Sequence, residues 1–466
     1  MNNATEIETE LQSADIELDS VYGIGENVVK SITETIQNEE ETNLREFLTG
    51  FSSSSIADLL EQLDEETRVK LFELAPESIS ADAISEIVPD LRSQILSSMP
   101  PQQVAKIISE LDSDDALDLI INLDPDFQKN VIRKLSPKNR IVLEEGLNFP
   151  EDSAGRLMQR EFVAIPQFWT VGKTIDYLRA DTDLPEEFFD LFVITPTHHV
   201  IGEIPLNRLV RAKRSEKLEN LSLDKTHPIP AGMDQEEVGI LFQREGIVSA
   251  PVVDDEGRLI GVITFDDVID VISEEAQEDF LRLGGIEKDD LYKAVWSTGK
   301  SRFRWLFVNL LTAILASIVI SLFDATLEQA VSLAILMPIV ASMGGNAGTQ
   351  SLTVAVRGLA TRQITKSNMF RLLWKEALVG ALNGIAFAFI IAAIAGLWFQ
   401  SVMLGIVIAL AMILNLFVAG LCGAAIPILL DRIGSDPAES SAVFLTTITD
   451  VVGFFAFLGL AAILFI

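Results

Sequence analysis

One carboxylate stands alone near the end of the chain. In "AVFLTTITDVVGFFAFLGL", Ala442 to Leu460, every residue is apolar or a small hydroxyl except Asp450. An acid in the middle of a membrane-spanning helix costs at least about 2.5–3.5 kcal/mol to insert, and such a group marks an ion path unless a basic side chain neutralises it. None of the apolar runs holds a basic residue at its centre. Thr446, four residues earlier, and Gly453, three later, fall on the same helical face as Asp450. A second polar constellation is "MPIVASMGGNAGTQ", Met337 to Gln350. Gly344 and Gly348 make a small-residue face for close helix approach. Pro338, Gly345, Asn346, Thr349 and Gln350 in the same turns predict a helix opened beside a pore, offering carbonyl and amide oxygens. Asn415 is a further polar group inside an apolar run.

Charge is distributed unevenly. Residues 301–466 hold 7 acids and 8 bases, so the other 61 acids and 27 bases, a net −34, lie in residues 1–300. Nucleic-acid phosphates need Lys and Arg, so nucleic acid is excluded as a partner. Such a surplus repels itself and attracts cations. Its densest clusters are Asp112, Asp114 and Asp115, and then Asp266, Asp267, Asp270, Glu274, Glu275, Glu278 and Asp279; the plainer reading is a solvated helix face.

The elements that must position these groups divide the chain. Residues 1–45 read as an acidic mobile leader without an apolar signal core. Residues 46–150 repeat short amphipathic helices, such as "PDLRSQILSSMP" and "PQQVAKIISELD", which predict an all-α superhelix. From Met158 short β-type runs alternate with helices in two copies, residues 151–213 and 214–275, an α/β pair. A connecting helix, 276–302, leads to five apolar runs in 303–466, each near or above the roughly 20 residues needed to cross hydrocarbon. Lys300, Arg302 and Arg304 precede the first run, and Arg357, Arg362, Lys366, Arg371 and Lys375 crowd the second connection. By the positive-inside rule the N-terminal part is cytoplasmic and the C-terminus lies outside a cell membrane.

The paired copies "VIGEIPLNRLV" and "LIGVITFDDVI" resemble tandem cystathionine-β-synthase (CBS) domains. In that family a Thr/Ser-x-x-Asp after the last strand holds a nucleotide ribose. Thr264 and Asp267 match it, whereas Pro205 and Arg208 in the first copy do not, so the resemblance implies at most one site for ATP or another adenine nucleotide. Helix capping by Thr264 is the structural alternative. Further, "LMPIVASMGGNAGTQSLTVAVRGLA", "DPAESSAVFLTTITDVVG" and "FPEDSAGRLM" resemble the MgtE family of magnesium channels and transporters. This resemblance runs from about Ile56 to the end. It implies a homodimer with a pore lined by the second and fifth spans, Asp450 in that pore, and acidic cytoplasmic domains that bind Mg²⁺ and close it. Asp450, Asn346, Gly344, Gly345, Gly348, Thr446 and Asn415 are the candidate pore and ion-binding residues. Mg²⁺ takes oxygen ligands and keeps several waters, which suits a pair of facing carboxylates.

Pumping by ATP hydrolysis finds no phosphate-cradling loop. "DKTH", Asp224 to His227, lacks the context of a phosphorylation motif. His198, His199 and His227 are too few for a zinc site, and the lone Cys422 excludes an internal disulfide. The expectation is a non-enzymatic, Mg²⁺-gated channel for downhill magnesium uptake; the alternative is a secondary transporter coupled to H⁺ or Na⁺.

Overall fold

The computed structural model describes residues 23–180, 184–185, 187–221, 226–286 and 295–465. The chain divides into two compact units between Ile272 and Ser273. Of the segments above, the residues before Gly23, Asp224 and Lys225, and residues 287–294 of the expected connecting helix lie outside the described residues.

The first unit begins with helices. They are α1 (Glu26–Gln37), α2 (Glu41–Thr49), α3 (Ser53–Gln62), α4 (Glu65–Leu74), α5 (Ala81–Ser85), α6 (Pro89–Ser98), α7 (Pro101–Glu110), α8 (Ser113–Ile121), α9 (Pro125–Ile132) and α10 (Pro137–Leu147). Their punctuation is local. Ser52, Asp64, Ser80, Asp124 and Ser136 cap with their side chains. Pro89, Pro101, Pro125 and Pro137 take first-turn positions, where a missing N–H costs nothing. Two of these helices fall in the stretch read as a leader: residues 26–37 and 41–49 are helical, because Ile32, Ile36, Leu44 and Leu48 bury their side chains and supply the apolar stripe a helix needs to dock.

Next come α11 (Ala154–Leu157), β1 (Val163–Pro166), α12 (Val171–Ala180), β2 (Asp190–Ile194), β3 (Val200–Pro205) and α13 (Leu206–Arg211). The second copy holds β4 (Ile229–Pro230), α14 (Gln235–Glu245), β5 (Ser249–Val253), β6 (Leu259–Thr264) and α15 (Phe265–Leu283). Each copy forms a three-stranded sheet of the same order, a parallel pair followed by an antiparallel one. The sheets share a small core of Phe192, Ile194, Leu259 and Val262. Ser249 Oγ donates to Asp190 Oδ2 at 2.6 Å between equivalent strand starts.

The second unit contains the end of α15 and then α16 (Val295–Ser321), α17 (Asp324–Gln329), α18 (Val331–Ala360), α19 (Met369–Trp398), α20 (Val402–Arg432) and α21 (Pro437–Phe465). Of these, α16, α18, α19, α20 and α21 are long and apolar enough to cross a membrane. α20 is the central helix, with Val407, Ile408, Ala411 and Leu416 fully buried or nearly so. Small residues set the spacing. A Cβ on Gly380 would strike the Leu416 carbonyl, and one on Gly420 the Glu376 carbonyl, so α19 and α20 pack backbone to backbone.

Candidate ion pathway and carboxylate clusters

α18 is one unbroken helix from Val331 to Ala360, with Pro338 inside it. This corrects the expectation of an opened helix. Pro338 removes only its own donor, and the rest of the ladder persists because helical bonding is the only way to satisfy backbone groups in lipid. The glycines serve packing instead. A Cβ on Gly344 would collide with the Asn415 carboxamide, one on Gly348 would meet Leu445 at 2.8 Å, and Gly345 faces open space.

The polar residues of α18 lie on another face. Ser342, Asn346, Thr349, Gln350 and Thr353, spaced at three or four residues, are all exposed in the single chain. Their bonds stay on their own helix: Thr349 Oγ1 donates to Gly345 O at 2.9 Å and Thr353 Oγ1 to Thr349 O at 2.9 Å. A stripe of five such side chains has no place against hydrocarbon.

α21 brings Asp450 to the same level. Asn415 on α20 packs against Gly344 of α18 on one side and Gly453 of α21 on the other. Asn346 lies two residues beyond Gly344, and Asp450 three before Gly453. Asp450 is half-buried and finds no hydrogen-bond or ionic partner among the described residues. Thr446 is exposed one turn away and donates to Ala442 O and Val443 O, both at 3.1 Å. Asn415 departs from the expected set. It is fully buried, its Nδ2 donates to Val340 O at 2.8 Å, and its Oδ1 is an orphan. It ties three helices together and presents nothing outward.

Glu376 was not among the residues singled out. It sits on α19, 6 % exposed, and its Oε2 accepts from Ser351 Oγ of α18 at 2.9 Å. The signal was present, an acid entering an apolar run, but the neighbouring Lys375 makes the pair read as part of a basic connection.

In the first unit, Asp114 and Asp115 in the first turn of α8 approach Asp267 in the first turn of α15. Burial, then the Asp267 and Asp115 charges, hold the Asp114 carboxyl well above its ordinary range. Burial and Asp267 push Asp115 up to about 7, Arg92 opposing. Burial raises Asp267 to about 6, against the hydrogen bond from Thr264. Asp270 is raised by burial and by Asp266. Thr264 Oγ1 donates to Asp267 Oδ2 at 2.8 Å, so the two residues that match the ribose motif engage each other, as in helix capping. Among the described residues no three His, Cys, Asp or Glu side chains are gathered around one point as ready-made metal ligands.

In the second unit, Arg282 at the end of α15 pairs with Glu278 on its own helix and with Asp436 at the foot of α21. Leu283 packs beside Leu352, Val356, Ala438 and Leu445, residues of α18 and α21. Gly285 takes a left-handed φ of 74°, and a Cβ there would run into the Trp305 indole of α16. Burial raises the Asp279 carboxyl, with Arg282 opposing.

Five apolar helices, a membrane carboxylate without a partner among the described residues at the level of a polar stripe, and two copies of a three-stranded α/β unit define a multi-pass membrane protein with a large domain ahead of its spans. The comparisons agree. The family described as "Divalent cation transporter" (MgtE) matches residues 337–460, the MgtE intracellular N domain matches 51–152, and the CBS domain matches 224–274. The magnesium transporter MgtE of Thermus thermophilus is 33 % identical over 448 residues, 94 % of this chain and 99 % of that protein. The Bacillus subtilis magnesium transporter MgtE is 33 % identical over 316 residues, 68 % of this chain and 70 % of that protein. The crystal structure of the cytosolic domain of the Mg²⁺ channel MgtE in complex with ATP matches at 30 % identity and a TM-score of 0.49, over 52 % of this chain and 99 % of that one. The chain belongs to the MgtE family.

Proposed function

We propose that the protein is a homodimeric Mg²⁺ channel of the cell membrane that carries magnesium inward down its electrochemical gradient. The carrying observation is the exposed polar stripe of α18 beside the unpartnered Asp450 of α21. Neither suits lipid, and a second copy applied to that face would enclose both around a water-filled path. Two Asp450 carboxylates facing each other hold a hydrated Mg²⁺ by charge and through its waters, without stripping it, which leaves the ion free to move on. Asn346, Thr446 and Gln350 offer further oxygen and amide groups to the same shell. Gly344 and Gly348 contribute by letting α18 sit close to its neighbours, and Gly345 leaves the open side of that helix without a side chain. The role is transport, with no catalytic set required.

Mg²⁺ also regulates. Asp112, Asp114, Asp115, Asp266, Asp267 and Asp270 repel one another without a cation and are bridged with one. Glu274, Glu275, Glu278 and Asp279 continue that charge along α15, whose end engages the foot of α21 through Arg282 and Asp436. A cation that prefers the drawn-together arrangement shifts the population toward it, and α15 carries the change to the pore helices. ATP or another adenine nucleotide binds at the CBS pair by displacing the Thr264–Asp267 bond, with a cation offsetting the nearby carboxylates. The acidic N-terminal part faces the cytoplasm and the C-terminus faces outside, supported by the five basic residues from Arg357 to Lys375 in and around the α18–α19 connection.

The test is Mg²⁺ uptake into liposomes holding the wild type or Asp450→Asn. The expected result is loss of flux with dimerisation intact; near-normal uptake by Asp450→Asn rejects the pore assignment. Uptake that requires an opposing proton or sodium gradient rejects the channel in favour of coupled transport.

A further inference from the structure

Ion conduction makes no use of the outer face of α19. There Arg371, Trp374, Lys375, Leu378, Val379 and Leu382 line an open groove of about 470 Å³. Trp374 and Leu378 are each 61 % exposed and Leu382 69 %. Arg371 and Lys375, one turn apart, project from one side of the helix. Depth can be read from the tryptophans. Trp374 and Trp398 lie 24 residues apart on α19, about 36 Å along a helix, slightly more than the roughly 30 Å of hydrocarbon. Tryptophan settles at headgroup level, so Arg371 and Lys375 stand among phosphates while Leu378, Val379 and Leu382 face acyl chains.

We propose that this groove binds one anionic glycerophospholipid, with its phosphate between Arg371 and Lys375 and an acyl chain along Leu378, Val379 and Leu382. Charge complementarity selects that occupant. From Arg357 to Lys375 the chain has five basic residues and no acid. Arg371 has no acidic partner among the described residues. A guanidinium and an ammonium at this spacing suit a phosphodiester, and basic grooves at the membrane surface collect anionic lipid. An apolar protein segment would leave Arg371 without an anionic partner and Lys375 with Glu376 alone. The site also has a route inward. Lys375 Nζ lies 3.4 Å from Glu376 Oε1, and Glu376 accepts from Ser351 of the stripe-bearing α18. A phosphate that engages Lys375 weakens its hold on Glu376.

The experiment uses the full chain reconstituted in nanodiscs of mixed phosphatidylcholine and phosphatidylglycerol, followed by native mass spectrometry of the retained lipid. The wild type is expected to retain phosphatidylglycerol selectively. Arg371→Gln/Lys375→Gln should lower that retention about 10- to 30-fold, while Arg362→Gln/Lys366→Gln, with the same charge lost from the same connection, should not. Equal retention of the two lipids by the wild type overturns the proposal without recourse to any variant. Equal loss in both double variants also overturns it, leaving only diffuse surface attraction. A groove variant that changes oligomeric state with lipid retention intact makes the groove a subunit contact and rejects the lipid. The readout is independent of which ion is carried.

Discussion

Asn415 Nδ2 donates to the Val340 carbonyl at 2.8 Å, and the same carboxamide fills the room that a Cβ on Gly344 or on Gly453 would need. One side chain of α20 thus fixes how closely α18 and α21 approach at the level of Asn346 and Asp450. Gly344→Ala is expected to displace the carboxamide and destabilise the protein by about 1–3 kcal/mol, as overpacking does. Asn415→Ala loses a membrane hydrogen bond worth about 0.6 kcal/mol plus a cavity term, and it also vacates the space. The double variant should therefore be more stable than the sum of the two singles, a positive coupling seen in detergent melting. Strict additivity would mean that the two groups do not compete for one volume.

Arg282 and Asp436 join the connecting helix to the foot of α21, and a charge swap isolates that link. Arg282→Asp alone places three acids together with Glu278 and Asp436, so the pore should stay open at Mg²⁺ levels that close the wild type. Asp436→Arg alone should do the same. Arg282→Asp/Asp436→Arg should restore closure, read as Mg²⁺-dependent flux in liposomes. Failure of the swap to recover any closure while both singles are open would remove the ion pair from gating.

Asp114, Asp115 and Asp267 hold protons in the folded chain that they lose in the unfolded one. Their folded values are raised, Asp115 to about 7 and Asp267 to about 6. The unfolded state therefore releases these protons first, and their contribution to stability falls as pH rises from about 4 to about 7. Asp112, Asp118 and Asp266 add to the repulsion and Arg92 offsets part of it. Added Mg²⁺ should raise the melting temperature of the full chain in detergent at pH 7.5 and barely at pH 5, by about 2–4 °C for each kcal/mol of repulsion relieved. Asp114→Asn/Asp267→Asn should flatten that difference. An equal Mg²⁺ effect at both pH values would dissociate the cluster from cation binding.

Much of this architecture is legible in the residues because its determinants are local. Apolar runs of span length, first-turn prolines and capping serines or aspartates define elements without any tertiary knowledge. Asp450 is legible for the same reason, as one charge in an apolar run. What could not be read depends on contacts between distant residues. Pro338, Asn346, Thr349 and Gln350 looked like an opening in α18 because composition does not say what a polar helix face meets, whereas the close approach read from Gly344 and Gly348 is there, against Asn415 of α20 and Leu445 of α21. The same ignorance of neighbours put Asn415 among the pore candidates and missed the packed helix between Glu26 and Gln37. It also hid the meeting of Asp267 with Asp114 across some 150 residues of chain.

Ser351 and Glu376 are the case where charge and packing must be separated. The carboxylate is 6 % exposed and the hydroxyl 5 %, and their hydrogen bond joins α18 to α19 at 2.9 Å. Glu376→Gln keeps an oxygen acceptor for Ser351 Oγ and should leave the fold near wild type. Ser351→Ala removes only the hydroxyl and so strips the carboxylate of that donor in a region with little water. Leaving a buried carboxylate short of a donor is the costlier change, about 1–3 kcal/mol. Ser351→Ala should therefore melt well below Glu376→Gln, and Ser351→Ala/Glu376→Gln should recover part of the loss because a neutral amide tolerates the missing donor better. Detergent melting of the three variants reads the order directly. If Glu376→Gln proves as damaging as Ser351→Ala, the negative charge itself is needed at this position, and Lys375 at 3.4 Å becomes the group it is kept for.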